Sequence, residues 1–184
     1  MSTSPSPAAP AAAPFDEAAF EAFVASRDEP EWVSQRRREA FAAYDRLRNE
    51  PLDDEEWKRV ELRAFRPDTF ALQPAAEQSP ALETLMRDRA DFAGAVVHLD
   101  GHAIDETFDD NLAAQGVRFG DLARLVREEP ELFEPHLLTR AVSPTTDRFS
   151  AWHSAFWTGG TVLYVPAGVE ITAPLYSLIG LAAD

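Results

Sequence analysis

The last part of the chain, residues 149–184, constrains the fold more than any other stretch. It contains no basic residue and only two acidic ones, Glu170 and Asp184, although the whole chain has a net charge of −15. Its apolar residues form three short runs, at 161–165, 169–172 and 175–181. Proline or glycine separates these runs, at Pro166, Gly168 and Pro174. Short uncharged strands with such corners predict a sheet that folds round itself and stacks, as in a β-solenoid, a small barrel or a sandwich.

An aromatic helical face precedes these strands and consists of Phe149, Trp152, Phe156 and Trp157. The pair Gly159-Gly160 is predicted to end this helix. Because buried aromatic rings contribute large apolar areas, we interpret Trp152 and Trp157 as core residues rather than as stacking partners for a flavin or a sugar. His153, on the same helix, is interpreted as a packed or solvent-exposed residue and not as a ligand.

The first half of the chain is predicted to be helical. Residues 1–14 contain only proline, alanine, serine and threonine after the initial methionine, which is typical of a disordered tail. In the helical region, residues 15–92, apolar side chains recur at helical spacing over 15–24 and again over 33–47. Pro30 suits the first turn of the second of these helices. Proline has no backbone N–H, and in the first turn an N–H would have no hydrogen-bond acceptor within the helix.

Two charged runs in this helical region have simple structural interpretations. Arg36, Arg37 and Arg38 lie about 100° apart round a helix, so they cannot converge on one anion, and we predict a solvated or ion-paired face. The carboxylates of 53–56 lack the glycine turn and distal glutamate of a calcium loop. They are interpreted as the start of a third helix, which continues over 57–65. A further short helix is predicted over 81–89.

The middle segment, residues 93–148, begins with a predicted hairpin. An Asp-Gly pair separates the strand-like runs 95–99 and 102–104, and this dipeptide is a strong signal for a tight turn. His98 and His102 flank the turn, but two histidines are only half of a metal site, and we assign no metal to them. Short helices are predicted to follow, over 121–129 and, after Pro130, over 131–138.

Composition and missing motifs exclude several classes of function. The chain has no cysteine, so it cannot form disulfides, thiolate nucleophiles or cysteine-ligated clusters by itself. Seventeen basic against 32 acidic residues argue against nucleic-acid binding. Neither a secretory signal nor a long apolar span is present, so we expect no membrane partner and a cytoplasmic location. Phosphate-loop and nucleophile-elbow motifs are also missing, and no catalytic, cofactor-binding or metal-binding residue is assigned. The chain is therefore predicted not to be an enzyme.

The motif SAFWTGGTVLYVPAGVEITAPL, within residues 149–181, closely resembles the SufB/SufD family of iron–sulfur cluster assembly proteins. Upstream, PEWVSQRRREAFAAYDRL and DDEEWKRVELRAF resemble the N-terminal helical region of the SufD branch, through the Arg-rich helix and the EEW helix start. The short helices near 119–138 are similar to the link that leads into the family's core. The resemblance covers residues 15–181.

The resemblance implies a fold. In the family a right-handed parallel β-helix follows, and then a C-terminal helical region that contacts the SufC ATPase. The expected class is therefore α+β, with a helical region to residue 92, a hairpin-and-helix segment over 93–148, and the first turn of a β-helix over 149–184. Because a solenoid needs roughly three or more stacked repeats, we expect the chain to be the front part of a longer protein.

The resemblance also implies a function, that of a non-catalytic scaffold subunit in a SufBCD-type complex. The implied partners are a SufB-like subunit and a SufC-like ATPase, contacted mostly through regions beyond Asp184. The implied cargo is a nascent iron–sulfur cluster, flavin binding by the full complex stays open, and this chain itself is expected to hold no cofactor. Two alternatives stay open: a free-standing acidic interaction module, and a carbohydrate-active β-solenoid enzyme, for which residues 161–181 offer only Glu170 as an acid.

Overall fold

The structure is a computed structural model that describes residues 15–62, 65–70, 72 and 91–181. The described residues separate into two compact units, the first formed by 15–27 and 51–72 and the second by 28–50 and 91–181. The helices are α1 (Glu17–Ala25), α2 (Glu31–Leu47), α3 (Asp54–Trp57), α4 (Asp110–Ala114), α5 (Leu122–Glu128), α6 (Pro130–Phe133) and α7 (Arg148–Phe156). The strands are β1 (Gly94–Leu99), β2 (His102–Phe108), β3 (Arg118–Asp121), β4 (Thr161–Tyr164) and β5 (Leu175–Gly180). The predicted tail at 1–14 and the predicted helix at 81–89 lie outside the described residues.

The first unit contains α1 and α3. Asp16 caps α1 by accepting a hydrogen bond from the N–H of Ala19 at 2.9 Å, as the acidic start of this helix predicts. The prediction that the third helix continues over 57–65 is wrong, because α3 ends at Trp57 and the chain turns at once, with the N–H of Val60 bonded to the carbonyl of Trp57. Arg66, just before Pro67, is not helical, with φ −124° and ψ 89°, since a proline disfavours helix in the residue that precedes it.

In the second unit, α2 packs against α7. Pro30 occupies the cap position immediately before α2, one residue earlier than predicted. The helices approach closely because α7 presents Ala151 and Ala155, both fully buried, at the contact. Aromatic pairs fill the remaining space, with ring centres 6.0 Å apart both for Phe41 with Phe156 and for Tyr44 with Trp152.

The predicted hairpin is confirmed. Strands β1 and β2 pair antiparallel, and the turn residues Asp100 and Gly101 have φ values of 50° and 82°. Positive φ at both positions is the geometry for which an Asp-Gly pair is favoured. The register shifts by one residue between Val97 and His98, so the end of β1 is offset from the rest of the hairpin.

Two small sheets complete the unit. One has the order β2-β1-β5, with β5 parallel to β1, and the other pairs β3 with β4 antiparallel. The predicted strand over 169–172 is wrong, because these residues find no pairing partner among the described residues. They follow a turn at Gly168, whose φ is 82°. The described residues contain helices and sheets and no solenoid coil, so the β-helix stays a prediction.

The linking helices are shorter than predicted. Asp121 is not helical but ends β3 and caps α5, while the second helix ends at Phe133 rather than at 138. Pro135 follows its last turn and has no N–H to continue the helical hydrogen bonds. Arg36 then donates hydrogen bonds to the carbonyls of Glu134 and Leu137, at 2.8 and 2.7 Å. None of the helices in the described ranges is long and apolar enough to cross a bilayer.

Candidate functional site

Strand β1 and the start of α5 meet at a buried pair, His98 and Asp121. Nε2 of His98 lies 3.0 Å from Oδ1 of Asp121, and the two side chains are 4% and 9% exposed. The other carboxylate oxygen of Asp121 accepts the N–H of Arg124 at 3.0 Å, which caps α5. One carboxylate therefore both begins a helix and holds that helix to the hairpin strand.

The turn after α7 closes over this pair. The N–H of Gly160 donates to Oδ1 of Asp121 at 3.2 Å. A Cβ added to Gly159 would lie 2.7 Å from the same oxygen and 3.0 Å from the carbonyl oxygen of Gly101, so a side chain does not fit. Thr158 also donates to the carbonyl of Gly101, at 2.7 Å. The Gly-Gly pair thus allows α7 and β4 to lie against the hairpin. The prediction that it ends the helix is wrong, because α7 ends at Phe156 and Trp157 is its C-cap. We call His98, Asp121 and residues 158–160 the junction.

A second ion pair supports the junction from the side of β2. Nη2 of Arg124 lies 2.8 Å from Oε2 of Glu106, and the same oxygen accepts the N–H of Asp121 at 3.0 Å. Arg124 also contacts Glu128, one helical turn later on α5. Hydrogen bonding to Glu106 raises the pKa of Arg124, which keeps this charge in place. Strand β2 is therefore joined to both β3 and α5.

The electrostatics of the junction favour a charged carboxylate. Burial by itself raises the pKa of Asp121, but hydrogen bonds from His98 and from the N–H groups of Gly160 and Arg124 outweigh it. The pKa of Asp121 consequently lies below its ordinary value. The carboxylate therefore stays ionised at neutral pH and keeps accepting all three bonds.

The contacts of His98 join structural elements. A catalytic imidazole presents its second nitrogen to a nucleophile or a substrate. Nδ1 of His98 is instead buried, and no other described residue provides it with a hydrogen-bond partner. No group of three or more histidine, aspartate and glutamate side chains in the described ranges could hold a metal ion. The pair consequently acts by joining a strand to a helix.

Arg37 forms a second buried link, between α2 and α7. Its guanidinium pairs with Glu29 at 2.7 Å, donates to the carbonyl of Ala155 at 3.0 Å and stacks 4.0 Å from the ring centre of Trp157. The side chain is 0% exposed and ion-paired, so of the two predicted alternatives, a solvated or an ion-paired face, the ion-paired one is confirmed for this residue. Arg38, by contrast, is exposed beside Glu31. As predicted, the consecutive arginines do not converge on one ligand.

Several apolar side chains on β4, on β5 and directly after these strands are exposed. Ile179 and Leu181 are 74% and 82% exposed, and on β4 Leu163 is more than half exposed. We call these three residues, with Tyr164 and Val165, the strand face. Strand β5 pairs only with β1 in the described part of the chain, so its other edge carries unpaired backbone groups. Thr161 and Ser177 join β4 to β5 through their hydroxyl groups at 2.5 Å.

Other residues singled out in the sequence lie apart from the junction. The core interpretation is confirmed for Trp157, which is buried, while Trp152 is only half-buried against Tyr44. His153 is exposed on α7, and His102 is partly exposed at the start of β2. Glu170 is exposed in the irregular segment between β4 and β5.

Sequence reasoning missed Asp121 and the burial of Arg37. An aspartate directly before Leu-Ala-Arg-Leu is an N-cap signal, and it could have marked Asp121 as a helix start. Nothing in the spacing indicates that its partner is His98, 23 residues earlier. The surroundings of Arg37 come from Ala155, 118 residues away, and no local pattern indicates such a contact.

Comparisons with known proteins complete the description. The profile of one family, described as the SufBD protein N-terminal region, matches residues 20–176. An iron–sulfur cluster assembly SufBD family protein of Mycobacterium bovis is 27% identical over 176 residues, which covers 86% of this chain and 20% of that protein. The iron–sulfur cluster assembly protein SufB of Bacillus subtilis is 32% identical over 92 residues, which covers 50% of this chain and 20% of that protein. The chain thus spans about a fifth of the length of these relatives. No solved structure matches it significantly.

Proposed function

The chain belongs to the SufB/SufD family, and from that premise we propose that it is the N-terminal part of a scaffold subunit for iron–sulfur cluster assembly. The observation that carries the proposal is the family match over residues 20–176. Two of the relatives bear names that state iron–sulfur cluster assembly. The junction supports a scaffold rather than a catalyst, because its histidine is buried against Asp121.

The strand face is the part of the chain through which the scaffold continues. Strand β5 runs parallel to β1 in register, from Gly94 opposite Leu175 to Leu99 opposite Gly180. Parallel strands are normally covered on both sides, yet Ile179 and Leu181 stand in solvent here. In the proposal these residues belong to the first turn of a right-handed parallel β-helix, and the next coil of a longer chain covers them.

Within the family, the chain belongs to the SufD branch in this proposal. The support is the Arg-rich α2 followed by the EEW start of α3. Its partners are a SufB-like subunit and a SufC-like ATPase, in the cytoplasm, and a nascent iron–sulfur cluster is their cargo. A carbohydrate-active enzyme is not supported, since β4 and β5 carry no acidic residue that could form a carboxylate pair.

The test of this function uses the whole protein that contains the chain. It is expressed in cells whose own SufD-like gene is deleted, and the activity of an iron–sulfur dehydratase is measured in extracts. We expect activity to return, and the SufC-like ATPase to copurify with the protein. Normal accumulation of the protein without either result would contradict the proposal.

A matched pair of variants tests the strand face within the same experiment. Ile179→Lys introduces a charge where the next coil is expected, whereas Val60→Lys changes a similarly apolar and exposed residue of the first unit. We expect the first variant to lower both accumulation and dehydratase activity, and the second to leave both unchanged. Equal behaviour of the two variants would contradict the covering of Ile179.

A further inference from the structure

A groove of about 430 Å³ lies on the second unit, away from the junction residues. One wall is α7, which contributes Phe149, His153 and Ser154, and the other is the segment after α6, which contributes His136 and Val142. Its volume is in the range of small-molecule sites, which is about 300–1,000 Å³. The scaffold role proposed above does not use the groove.

The helix wall of the groove holds a buried hydroxyl group that is not engaged. Ser154 is 2% exposed, and its Oγ has no hydrogen-bond partner in the described part of the chain. This oxygen is not sealed from solvent, and the groove is the cavity that reaches Ser154. Since a buried hydroxyl group without a partner is unfavourable, a ligand atom that hydrogen-bonds to it contributes binding energy.

The other hydroxyl groups that line the groove already have partners. Ser150 donates to the carboxylate of Asp147 at 2.6 Å. Thr139 donates to the carbonyl of His136 at 2.9 Å. Ser154 therefore stands out among the three as the hydroxyl group that a ligand can use.

The lining of the groove carries no fixed charge. No aspartate, glutamate, lysine or arginine is among the described residues that line it. A charged ligand would lose its hydration here without gaining a partner of opposite charge. The titratable lining residues are His136 and His153, and imidazole groups in general are neutral at about pH 8. The groove therefore favours an uncharged ligand.

The remaining lining suits an aromatic ring. Leu138 and Phe149 are half-buried and Val142 is 56% exposed, so these apolar side chains stay in contact with solvent. An aromatic ring buries a large apolar area against such side chains. A flat ring between the two walls would therefore cover them.

Contacts outside the groove hold its walls in place. On one wall, Arg36 of α2 donates to the carbonyl of Leu137 at 2.7 Å. On the other wall, Asp147 caps α7 by accepting the N–H of Phe149 at 2.7 Å. A preformed site loses little conformational entropy when a ligand binds.

We propose that this groove binds a small uncharged aromatic molecule. The ring lies against Leu138, Val142 and Phe149, and one polar atom of the molecule, a hydroxyl group, a carbonyl oxygen or a ring nitrogen, hydrogen-bonds to Ser154. The uncharged lining disfavours an ion, and the free hydroxyl group favours a molecule with a polar atom over a pure hydrocarbon. The inference concerns a ligand of the groove and does not depend on the assembly of clusters.

The experiment compares two probes, p-cresol and toluene, which differ by one hydroxyl group. Each is titrated into the whole protein that contains the chain, at about pH 8, and saturation-transfer NMR of the probe measures its affinity. The hydrogen bond to Ser154 is expected to make p-cresol bind about five- to tenfold more tightly than toluene.

Three variants locate the binding. Ser154→Ala is expected to lower the affinity for p-cresol to that for toluene and to leave toluene binding unchanged. The matched control is Ser34→Ala, which changes a buried serine of α2 that does not line the groove, and it is expected to keep the difference between the probes. Val142→Asp is expected to weaken the binding of both probes. Far-UV circular dichroism shows whether each variant is folded.

Several outcomes would overturn the proposal. They are the absence of p-cresol binding, equal affinities of the wild-type protein for the two probes, and an unchanged difference between the probes in Ser154→Ala. Tighter binding of benzoate or benzylammonium than of p-cresol would mean that the groove selects a charged ligand. Tighter binding of N-acetyltyrosinamide than of p-cresol would assign the groove to a tyrosine of a partner protein instead of a free molecule.

Discussion

Strands β1 and β5 lie side by side in register and have similar apolar composition, but their surroundings differ. Every residue of β1 is buried, whereas β5 alternates between half-buried and exposed. Strand β1 has a neighbour on each edge and the junction at its end, while β5 has a described neighbour on one edge only. Apolar sequence therefore does not bury a strand by itself, and burial depends on what the rest of the chain places beside it.

The largest expected effect is on the buried side, at Arg37. In Arg37→Ala the carboxylate of Glu29 stays buried but loses its ion pair with the guanidinium, which costs about 3–5 kcal/mol in the free energy of unfolding. Urea denaturation followed by tryptophan fluorescence measures the loss. Arg38→Ala is the control, with an expected change below about 0.5 kcal/mol because Arg38 is exposed.

The double variant Glu29→Ala with Arg37→Ala sharpens this test. Removing both charges also removes the buried carboxylate, so the double variant is expected to be less destabilised than the sum of the single variants. Additive losses of stability would mean that Glu29 and Arg37 are not energetically coupled. The buried ion pair would then not distinguish the interior from the exposed strand face.

The next largest effect is expected at Gly159. In Gly159→Ala the new methyl group meets Oδ1 of Asp121 and the carbonyl of Gly101, and we expect a loss of about 1–3 kcal/mol. Gly168→Ala is the contrast, since its Cβ meets no atom within 4 Å and the cost comes only from its φ of 82°. Thermal unfolding compares the two. A larger loss at Gly168 would mean that the junction is not tightly packed.

A smaller, pH-dependent effect is expected for Asp121. Because its folded-state pKa lies below the unfolded value of about 3.9, the carboxylate stabilises the fold above that pH and loses its contribution as the pH falls. Asp121→Asn is therefore expected to cost about 1–2 kcal/mol at pH 7 and clearly less near pH 3. Unfolding in urea at a series of pH values measures this difference. A constant difference across that range would contradict the assignment of a lowered pKa to Asp121.

The smallest effect is expected on the strand face. Ile179→Ser in the 184-residue chain removes a side chain that is 74% exposed, so the free energy of unfolding should change by less than about 0.5 kcal/mol. The same substitution in the whole protein should cost more, if a further coil covers the residue as we propose. Equal, small losses of stability in both proteins would contradict the proposal that a further coil covers Ile179.

The sequence predicted local features better than distant contacts. The hairpin followed from the turn preference of Asp100-Gly101, and the helix that contains Phe149, Trp152 and Phe156 followed from aromatic spacing. The extent of α3 and α6 was overestimated, because apolar spacing continues past the points where the chain turns after Trp57 and where Pro135 interrupts the helical hydrogen bonds. Propensity and apolar spacing therefore do not by themselves determine where a helix ends.

The two buried links show the same limit at the level of the site. His98 was considered as half of a metal site because His102 is close in sequence, but its partner is the cap of α5. Arg37 was grouped with its neighbours in a charged run, although its environment depends on α7. A single sequence does not indicate which distant segments these residues contact in the fold.

The contacts of Arg37 also have a consequence for the order of events during synthesis. Glu29 is 8 residues away and leaves the ribosome almost together with Arg37, whereas Ala155 follows 118 residues later. At about 5–20 residues per second, α2 waits roughly 6–24 seconds for α7. During that interval Glu29 can already neutralise the arginine, while the apolar face of α2 remains without its partner helix. The nascent chain is therefore most exposed to aggregation and to chaperone binding in this window, before translation reaches Phe156.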